Sequence, residues 1–531
     1  MKIGELLRGI PYRVLLGDAD VEISGVAIDS RLVAPGDLFI ATVGREADGH
    51  DFVRAAMGRG AAAALVMDGR DFGYPEGSGD SGGHGGIGTG ADTDAGAPPF
   101  CVASVADTRG VLSLIVNRFH GEPSRGFTLI GVTGTNGKTS VATLIDHILQ
   151  KAGRKTGLLG TIGHYCAGEE MDVRRTTPTN PDCVELGEIM GRMAEAGIDD
   201  LVMEVTSMGL KMGRVKGCDF DVAVFTNISP EHLDDHGTMD DYADAKLMLF
   251  DLAKSAVVNA DDPRAKDFMR RARGAVVSYG IRNRDGCDLY ADGVRYSAGG
   301  VGFDIVRAGA SATGEGDRVS VELSTPAEFA VYNALAAAGA CLCVGIALDA
   351  AAAALSENIE IAGRYEVVMS GDGVSVVVDY AHTARALENL LEAVRSNPAY
   401  GRVISVFGCG GDRDPGKRAV MGEASGRLAD HTILTSDNPR TEDPLAIIAQ
   451  IEEGARLSGG VYETEPDRAK AIEKAILAAA PGDVVVVAGK GHEDYQIIGK
   501  EKIHLDDREI ARDAIAKREA ACRRSGAGSP V

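Results

Sequence analysis

Phe127-Thr128-Leu129-Ile130-Gly131-Val132-Thr133-Gly134-Thr135-Asn136-Gly137-Lys138-Thr139-Ser140 joins an apolar run to a glycine-rich turn, and the turn to a helical stretch over 139–152. Strand, tight turn and helix in that order are what a phosphate-binding loop requires. The glycines let backbone N–H groups turn toward phosphate oxygens, and the helix N-terminus adds its dipole. Lys138 can neutralise terminal phosphates and Thr139 can reach a Mg²⁺. The general pattern places glycine at position 132, where this chain has Val132, so the loop is a variant. The bland alternative is a glycine turn with a chance Lys-Thr, and the flanking strand and helix count against it.

Working outward, strand-like runs recur at 201–205, 222–226 and 256–259, and an Ala-rich helix is expected over 331–342. Such alternation predicts a parallel sheet covered on both faces. After Gly363-Arg364 a second alternation begins. Its strands are expected at 375–379, 402–407, 431–435 and 483–488, and its helices at 384–395, 417–429, 444–454 and 467–479. Upstream, 21–28 and 37–43 read as strands and 52–60 as a helix. The predicted fold is therefore α/β with three domains. A small N-terminal α/β domain covers 1–123, a central P-loop mononucleotide-binding parallel sheet 124–362, and a C-terminal Rossmann-like domain 363–531. The stretch 69–99 is rich in Gly, Asp and Ser and is expected to be a disordered surface insertion. The tail after Cys522 is expected to fray.

Bulk properties narrow the function. The 531 residues carry a net charge of −23, with 44% hydrophobic residues, 5% aromatic residues and no Trp. The negative charge opposes non-specific binding to nucleic acid or an anionic membrane. Scarce aromatics argue against a stacking platform for single strands. The nine cysteines form no CxxC pair, so neither a zinc site nor a disulfide framework is indicated. No stretch reaches the ~18 apolar residues that span a bilayer, and MKIGELLRGI lacks the core of a signal peptide. A cytoplasmic protein is expected, acting on small molecules as a monomer, with no nucleic-acid or membrane partner.

The loop 133–140 resembles the ATP loop of the Mur ligases and of the related folylpolyglutamate synthases. The resemblance extends over most of the chain. Gly25-Val26-Ala27-Ile28-Asp29-Ser30-Arg31 and Pro35-Gly36-Asp37-Leu38-Phe39 resemble the family's uridine-binding domain. Asp379-Tyr380-Ala381-His382-Thr383 and Asp437-Asn438-Pro439-Arg440 resemble its C-terminal domain. The resemblance implies an ATP-dependent ligase of peptidoglycan synthesis that acts through an acyl phosphate. Its implied substrates are UDP-N-acetylmuramoyl-L-alanyl-D-glutamate and meso-diaminopimelate.

It also implies roles for individual residues. ATP would meet Gly134, Thr135, Asn136, Gly137, Lys138, Thr139 and Ser140, with Asn333, Arg364 and Asp379 around adenine and ribose. Glu204 lies near a strand end, and a carboxylate suits a hard cation. By resemblance Glu204 and His232 bind a second Mg²⁺, Thr139 the first. Lys246 would be carbamylated, which converts a cation into an anionic oxygen ligand. Lys138, Glu204, His232 and Lys246 form the implied catalytic set. The UDP group would meet Ser30 and the loop Arg45-Glu46-Ala47, and the muramoyl dipeptide Thr176, Thr177, Ser207 and Arg214. Two departures stand out: Met208 replaces a frequent family histidine, and Ala330 replaces a frequent asparagine.

Three charged clusters follow expected strand ends: Arg413 in 408–414, Asp437-Asn438-Pro439-Arg440, and Gly489 with Glu493 in 489–493. Two arginines can hold carboxylates, and one Glu can hold an ammonium. Diaminopimelate presents both groups at its far end, whereas lysine lacks the distal carboxylate. By resemblance, Asp-Asn-Pro-Arg marks diaminopimelate-adding members. Competing readings are a P-loop switch or motor driven by a macromolecular partner, and a folate-type ligase. The acidic charge and the carboxylate-reading loops oppose the first, and the uridine-type N-terminal region opposes the second. A hinge is expected near Gly363-Arg364.

Overall fold

The computed structural model describes residues 1–44, 47–73, 100–297, 299–309, 317–369 and 371–524. Arg45, Glu46, most of the expected insertion 69–99 and the end of the tail lie outside the described residues. The chain divides into two compact units whose segments interleave. The first holds Met1–Thr133, Arg154–Ala223 and Asp240–Lys254; the second holds Gly134–Gly153, Val224–Met239 and Ser255–Val531.

In the first unit a five-stranded sheet runs in the order Arg13–Leu16, Cys101–Val105, Ala63–Met67, Asp37–Ile40, Gly25–Ala27. The first pair is antiparallel and the rest are parallel. Successive side chains of a strand point to opposite faces. Leu38 and Ile40 accordingly pack with Ile3, Leu6, Ile115 and Val116 on one face, while Phe39 and Ala41 pack with Val53 and Ala56 on the other. Both faces are covered, so the inner strands are buried throughout and show no alternation of exposure. Also in this unit, Thr128–Thr133, Asp200–Glu204 and Thr156–Leu159 pair in parallel. The short antiparallel strands His164–Cys166 and Glu169–Glu170 extend them.

In the second unit Ala253–Asn259, Val276–Gly280 and Leu289–Ser297 run parallel, and an antiparallel meander follows through Gly300–Arg307 and Asp317–Leu323. The parallel sheet expected over 124–362 thus carries antiparallel strands as well, in each unit. Asp317–Leu323 alternates between exposed and buried positions, as a half-covered antiparallel strand does. The Ala-rich helix spans Glu328–Cys343, and from Ala330 to Cys341 every residue except Tyr332 is buried. A methyl on Gly339 would sit 2.9 Å from Val257. The helix that carries Lys246 spans Met239–Leu247. Beyond it Leu249 and Phe250 donate to carbonyls three residues back, and the backbone tightens into turns.

The second unit also carries a six-stranded sheet in the order Glu366–Met369, Ser375–Asp379, Val484–Ala488, Val403–Phe407, His431–Leu434, Tyr462–Thr464. Only the first pair is antiparallel. Val484, Val485, Val486 and Val487 are all fully buried. Each contributes about 1.5–3 kcal/mol by leaving water. Val484 and Val486 face the helices Ala384–Ser396, Gly416–Leu428 and Pro444–Leu457; Val485 and Val487 face Arg468–Ala478 and Asp507–Arg524. The carboxyl ends of the parallel strands therefore share one edge, where ligands bind in such sheets.

One buried charge makes stability depend on pH. Asp200 is fully buried at the head of its strand, 2.5 Å from the Arg154 guanidinium. Burial outweighs that cation and pushes its carboxyl up to about 6. A carboxyl raised on folding binds its proton more tightly in the folded state. Its contribution is present in acid and is lost as pH rises through the folded value. Asp200→Asn should flatten the dependence of unfolding free energy on pH between about pH 4 and pH 7. Chemical denaturation at several pH values measures this, and unchanged curvature would exclude Asp200 as the source.

Candidate functional site

The phosphate loop leaves strand Thr128–Thr133 and enters helix Lys138–Lys151. Gly137 has φ +86°, and a methyl there would lie 2.7 Å from Asn333 Oδ1. Glycine is therefore demanded both by backbone conformation and by space. The Lys138 ammonium donates to the carbonyls of Gly134 (3.0 Å) and Thr135 (2.8 Å). Arg364 Nη2 donates to the Thr139 hydroxyl at 3.3 Å. The segment after strand Phe220–Phe225 braces the loop: Asn227 Oδ1 accepts from Asn136 N at 3.0 Å, and Asn136 O accepts from Thr226 Oγ1 at 2.6 Å. Thr135 N donates to Asn227 O at 2.8 Å. These two bracing residues were absent from the sequence reading. Their only sequence signal was a polar Thr-Asn following an apolar run.

Beside the loop, a cleft of the second unit is lined by Ser140, Leu144, Phe329, Ala330, Asn333 and Arg364, among others. An apolar slot with a few polar groups suits a heteroaromatic base. Ala330 makes that part of the wall apolar. Arg364 also lies over the Tyr380 ring, 5.0 Å from its centroid. Asp379 accepts from the N–H groups of Tyr365 and Ala381, both at 2.8 Å. Burial raises its carboxyl, and Arg364 opposes that shift. Gly363 has φ +62°, with the Gly491–His492 backbone where a side chain would go.

In the first unit, Glu204 ends its strand with 2% exposure. Its carboxylate accepts from Thr161 N at 2.7 Å and from Thr161 Oγ1 at 3.2 Å. Asn180, 1% exposed, ties this strand end to the neighbouring loop. It donates to Glu204 O (2.7 Å) and accepts from Thr206 N (2.6 Å), while Arg214 Nη1 donates to Asn180 O at 3.2 Å. Thr177 Oγ1 donates to the same carbonyl. Glu204, Thr177, Thr206 and Arg214 are thus gathered by one asparagine that sequence reading passed over. Thr176 is exposed, and its hydroxyl donates to Glu185 at 2.6 Å. Met208 is half-buried in the short helix Ser207–Lys211, so its place offers no imidazole. Lys246 is 1% exposed, with Nζ 4.4 Å from the Tyr242 ring centroid.

His232 belongs to the second unit, where it is exposed and left-handed at φ 56°. Among the described residues no three acidic, His or Cys side chains cluster closely enough to hold a metal ion. The available donors are nevertheless chemically apt. The Thr139 hydroxyl and the Glu204 carboxylate are hard oxygen donors of the kind Mg²⁺ prefers.

In the N-terminal region Ser30 follows Asp29, whose carboxyl is held down to about 2 by its bond to Arg31. Ala47 O accepts from Gly44 N at 2.8 Å. His50, buried, bonds Asp48 through Nδ1 (2.5 Å) while Met67 N donates to its Nε2 (2.9 Å).

The acceptor loops lie at the carboxyl edge of the six-stranded sheet. Arg440 adopts φ 52°. Its N–H donates to Ile497 O at 3.0 Å and its Nη1 to Gly411 O at 2.8 Å. A methyl on Gly410 would lie 2.9 Å from Arg440 Nη1 and 3.9 Å from Arg413 Cγ, so the two arginines flank this glycine. Arg418, 1% exposed, fastens the loop from beneath by pairing with Glu442 at 2.9 Å and reaching Gly410 O at 3.3 Å. Glu493 Oε2 accepts from Asn438 Nδ2 (3.0 Å) and from Lys490 Nζ (3.1 Å). The fully buried Lys490 is an ion-pair partner for Glu493 that sequence reasoning missed. The arrangement offers two guanidinium groups and one carboxylate to a ligand bearing both charges.

Known proteins resemble this chain along almost its whole length. Residues 22–73 match the Mur ligase family catalytic domain, 132–341 the Mur ligase middle domain, and 363–491 the Mur ligase glutamate ligase domain. The UDP-N-acetylmuramoyl-L-alanyl-D-glutamate--2,6-diaminopimelate ligase of Geobacillus kaustophilus is 40% identical, over 98% of this chain and 100% of that protein. A solved structure of a ligase of the same name is 31% identical, with a TM-score of 0.68 over 98% of this chain and 99% of the other. The MurF ligase from Thermotoga maritima, solved with ADP, is 19% identical over 94% and 99% of the two chains. Its TM-score of 0.58 speaks to the fold alone. With all three domain descriptions matched and full-length relatives at this identity, the chain belongs to the Mur ligase family.

Proposed function

We propose that this chain is an ATP-dependent ligase that joins meso-diaminopimelate to the D-glutamyl γ-carboxylate of UDP-N-acetylmuramoyl-L-alanyl-D-glutamate in peptidoglycan synthesis. The reading rests above all on full-length similarity to ligases bearing that name, and the paired Arg413 and Arg440 opposite Glu493 support it. In this reading 1–123 receives the uridine nucleotide, 124–362 ATP and 363–531 the amino acid. The ligase works as a monomer in the cytoplasm, and among the described residues no helix is long and apolar enough to cross a membrane.

The γ-carboxylate oxygen attacks the terminal phosphorus of ATP, ADP leaves, and an acyl phosphate forms. The acceptor's amine then attacks the acyl carbon. A tetrahedral intermediate collapses with loss of phosphate and of the amine proton. Lys138 transfers its hydrogen bonds from the Gly134 and Thr135 carbonyls to phosphate oxygens, offsetting negative charge as the phosphoryl group moves. Backbone N–H groups of 134–140 orient the triphosphate. Asn333, Arg364 and Asp379 hold adenosine; Thr176, Thr177, Ser207 and Arg214 hold the dipeptide; Ser30, Arg45, Glu46 and Ala47 hold the uridine diphosphate. Thr139, Glu204, His232 and a carbamylated Lys246 would hold Mg²⁺, which would supply further neutralisation of phosphoryl charge. Arg413 and Arg440 take the acceptor's far carboxylate, Glu493 its far ammonium, and Asp437, Asn438, Pro439 and Gly489 shape the pocket.

Offered side by side with ATP, Mg²⁺ and the nucleotide dipeptide, diaminopimelate should be used with kcat/KM at least about 100-fold above lysine. Equal use of lysine would overturn the specificity, and release of phosphate with no amide product would overturn the ligase. Arg440→Ala should raise the diaminopimelate KM about 30-fold or more, the worth of a charge-assisted pair, and leave the ATP KM within about twofold. Steady-state kinetics with each substrate varied decide this, and equal effects on both would remove Arg440 from the acceptor site. Lys246→Arg keeps the cation yet cannot be carbamylated. Turnover should fall by about 100-fold or more, and a variant that stays active would show that charge alone suffices.

A further inference from the structure

Arg468 heads the helix Arg468–Ala478 and is 1% exposed, far from any role in the reading above. Its guanidinium forms a fork with Asp507: Nε donates to Oδ1 at 2.7 Å and Nη2 to Oδ2 at 2.6 Å, and both side chains are fully buried. The fork uses only part of the donor set. Nη2 also donates to Ala488 O at 3.0 Å, and Nη1 reaches Ser436 O at 3.4 Å. Those two carbonyls stand at the ends of different strands. Ala488 closes Val484–Ala488 and precedes Gly489–Glu493; Ser436 follows His431–Leu434 and precedes Asp437–Arg440. In the sheet those strands are not neighbours, because Val403–Phe407 lies between them. No ladder hydrogen bond can therefore set the distance between their loops.

We propose that Arg468, anchored by Asp507, is the positioning residue that fixes the spacing between the Asp437–Arg440 and Gly489–Glu493 loops, and with it selectivity for an amino acid carrying a far-end carboxylate and ammonium. The proposal rests on the ligase reading above and deepens it. Upper connections between the loops agree: Asn438 reaches Glu493, and Gln496 Nε2 donates to Asp437 O at 2.6 Å. The loops also approach closely, since a methyl on Gly489 would lie 2.8 Å from Asp437 Oδ2. Arg468 joins the same two segments from beneath, and the carboxylates of Asp437 and Glu493, one from each loop, add to that of Asp507 in favouring its charge.

Truncation of Arg468 would strand Asp507 in the interior and endanger folding. Two gentler variants separate positioning from stability. Arg468→Lys keeps the cation facing Asp507, but one ammonium cannot reach a carboxylate and two divergent carbonyls in the fork geometry. The double variant Arg468→Met with Asp507→Leu removes both charges at similar volume, a replacement that folded proteins commonly tolerate. In whichever variant folds, the diaminopimelate KM should rise about tenfold, the ATP KM should stay within about twofold, and discrimination against lysine should narrow. Hydrogen exchange supplies a readout independent of the acceptor: amides of 437–440 and 489–493 should exchange faster together, while those of 134–140 stay unchanged. A folded variant with wild-type acceptor KM and wild-type exchange at both loops overturns the proposal. A wild-type enzyme that forms no amide with diaminopimelate overturns the ligase reading instead, and the exchange comparison still decides the role of Arg468.

Discussion

A parallel strand buried on both faces spends its backbone donors and acceptors on its neighbours, so the chain meets ligands only where a strand ends. The chemistry of this protein obeys that constraint. Gly134 follows Thr133, Glu204 is itself a terminal strand residue, Thr226 follows Phe225, and Asp379 closes its strand. Gly408, Thr435 and Gly489 each continue from the end of a strand of the C-terminal sheet. At such points ladder bonding has stopped, and side chains must hold the backbone instead. Three asparagines do so, each using its amide as donor and acceptor. Asn180 joins Glu204 to Thr206, Asn227 grips both sides of Asn136, and Asn438 links Ile497 to Glu493. An amide side chain can imitate the peptide pair that the sheet no longer supplies.

Electrostatics follows from the same geometry. A chain with net charge −23 must attract anionic substrates. Fields from exposed charges decay within roughly 8 Å at physiological salt, so nearby cations decide what a ligand meets. Lys138 and Arg364 stand at the nucleotide loop, and Arg413, Arg440 and Lys490 at the acceptor loops. Three deeply buried cations, Arg418, Arg468 and Lys490, each have a carboxylate partner, as burial requires.

Much of this was legible in the sequence because it is local. The loop 133–140, the second α/β alternation and the three charged clusters announce themselves by residue type and by position after apolar runs. The parallel strands 375–379, 403–407 and 484–488 are continuous apolar stretches, and helices such as Ala384–Ser396 have a sharply segregated apolar face. What escaped detection depends on partners distant in sequence. Asn180, Asn227, Arg418 and Arg468 read as ordinary polar residues until folding brings them beneath a loop. Ala63–Met67 and Cys101–Val105 pair in register across the compositionally biased stretch that separates them, and no local pattern encodes that pairing. The antiparallel meander from Leu289 to Leu323 was likewise missed, since its half-exposed alternation is broken by turns and by a bulge between Asp292 and Arg295.

The helix Glu328–Cys343 has a consequence of its own. Alanine has no side-chain rotamers, so this helix can neither surrender side-chain entropy nor absorb a displacement by repacking. Six alanines, at 330, 334, 336, 337, 338 and 340, let it settle close against Val257 and Leu289, with Gly339 at the tightest point. Asn333 projects from that rigid rod toward Gly137. The same helix thus touches the sheet at Gly339 and the nucleotide loop at Asn333, so the place of one bears directly on the other.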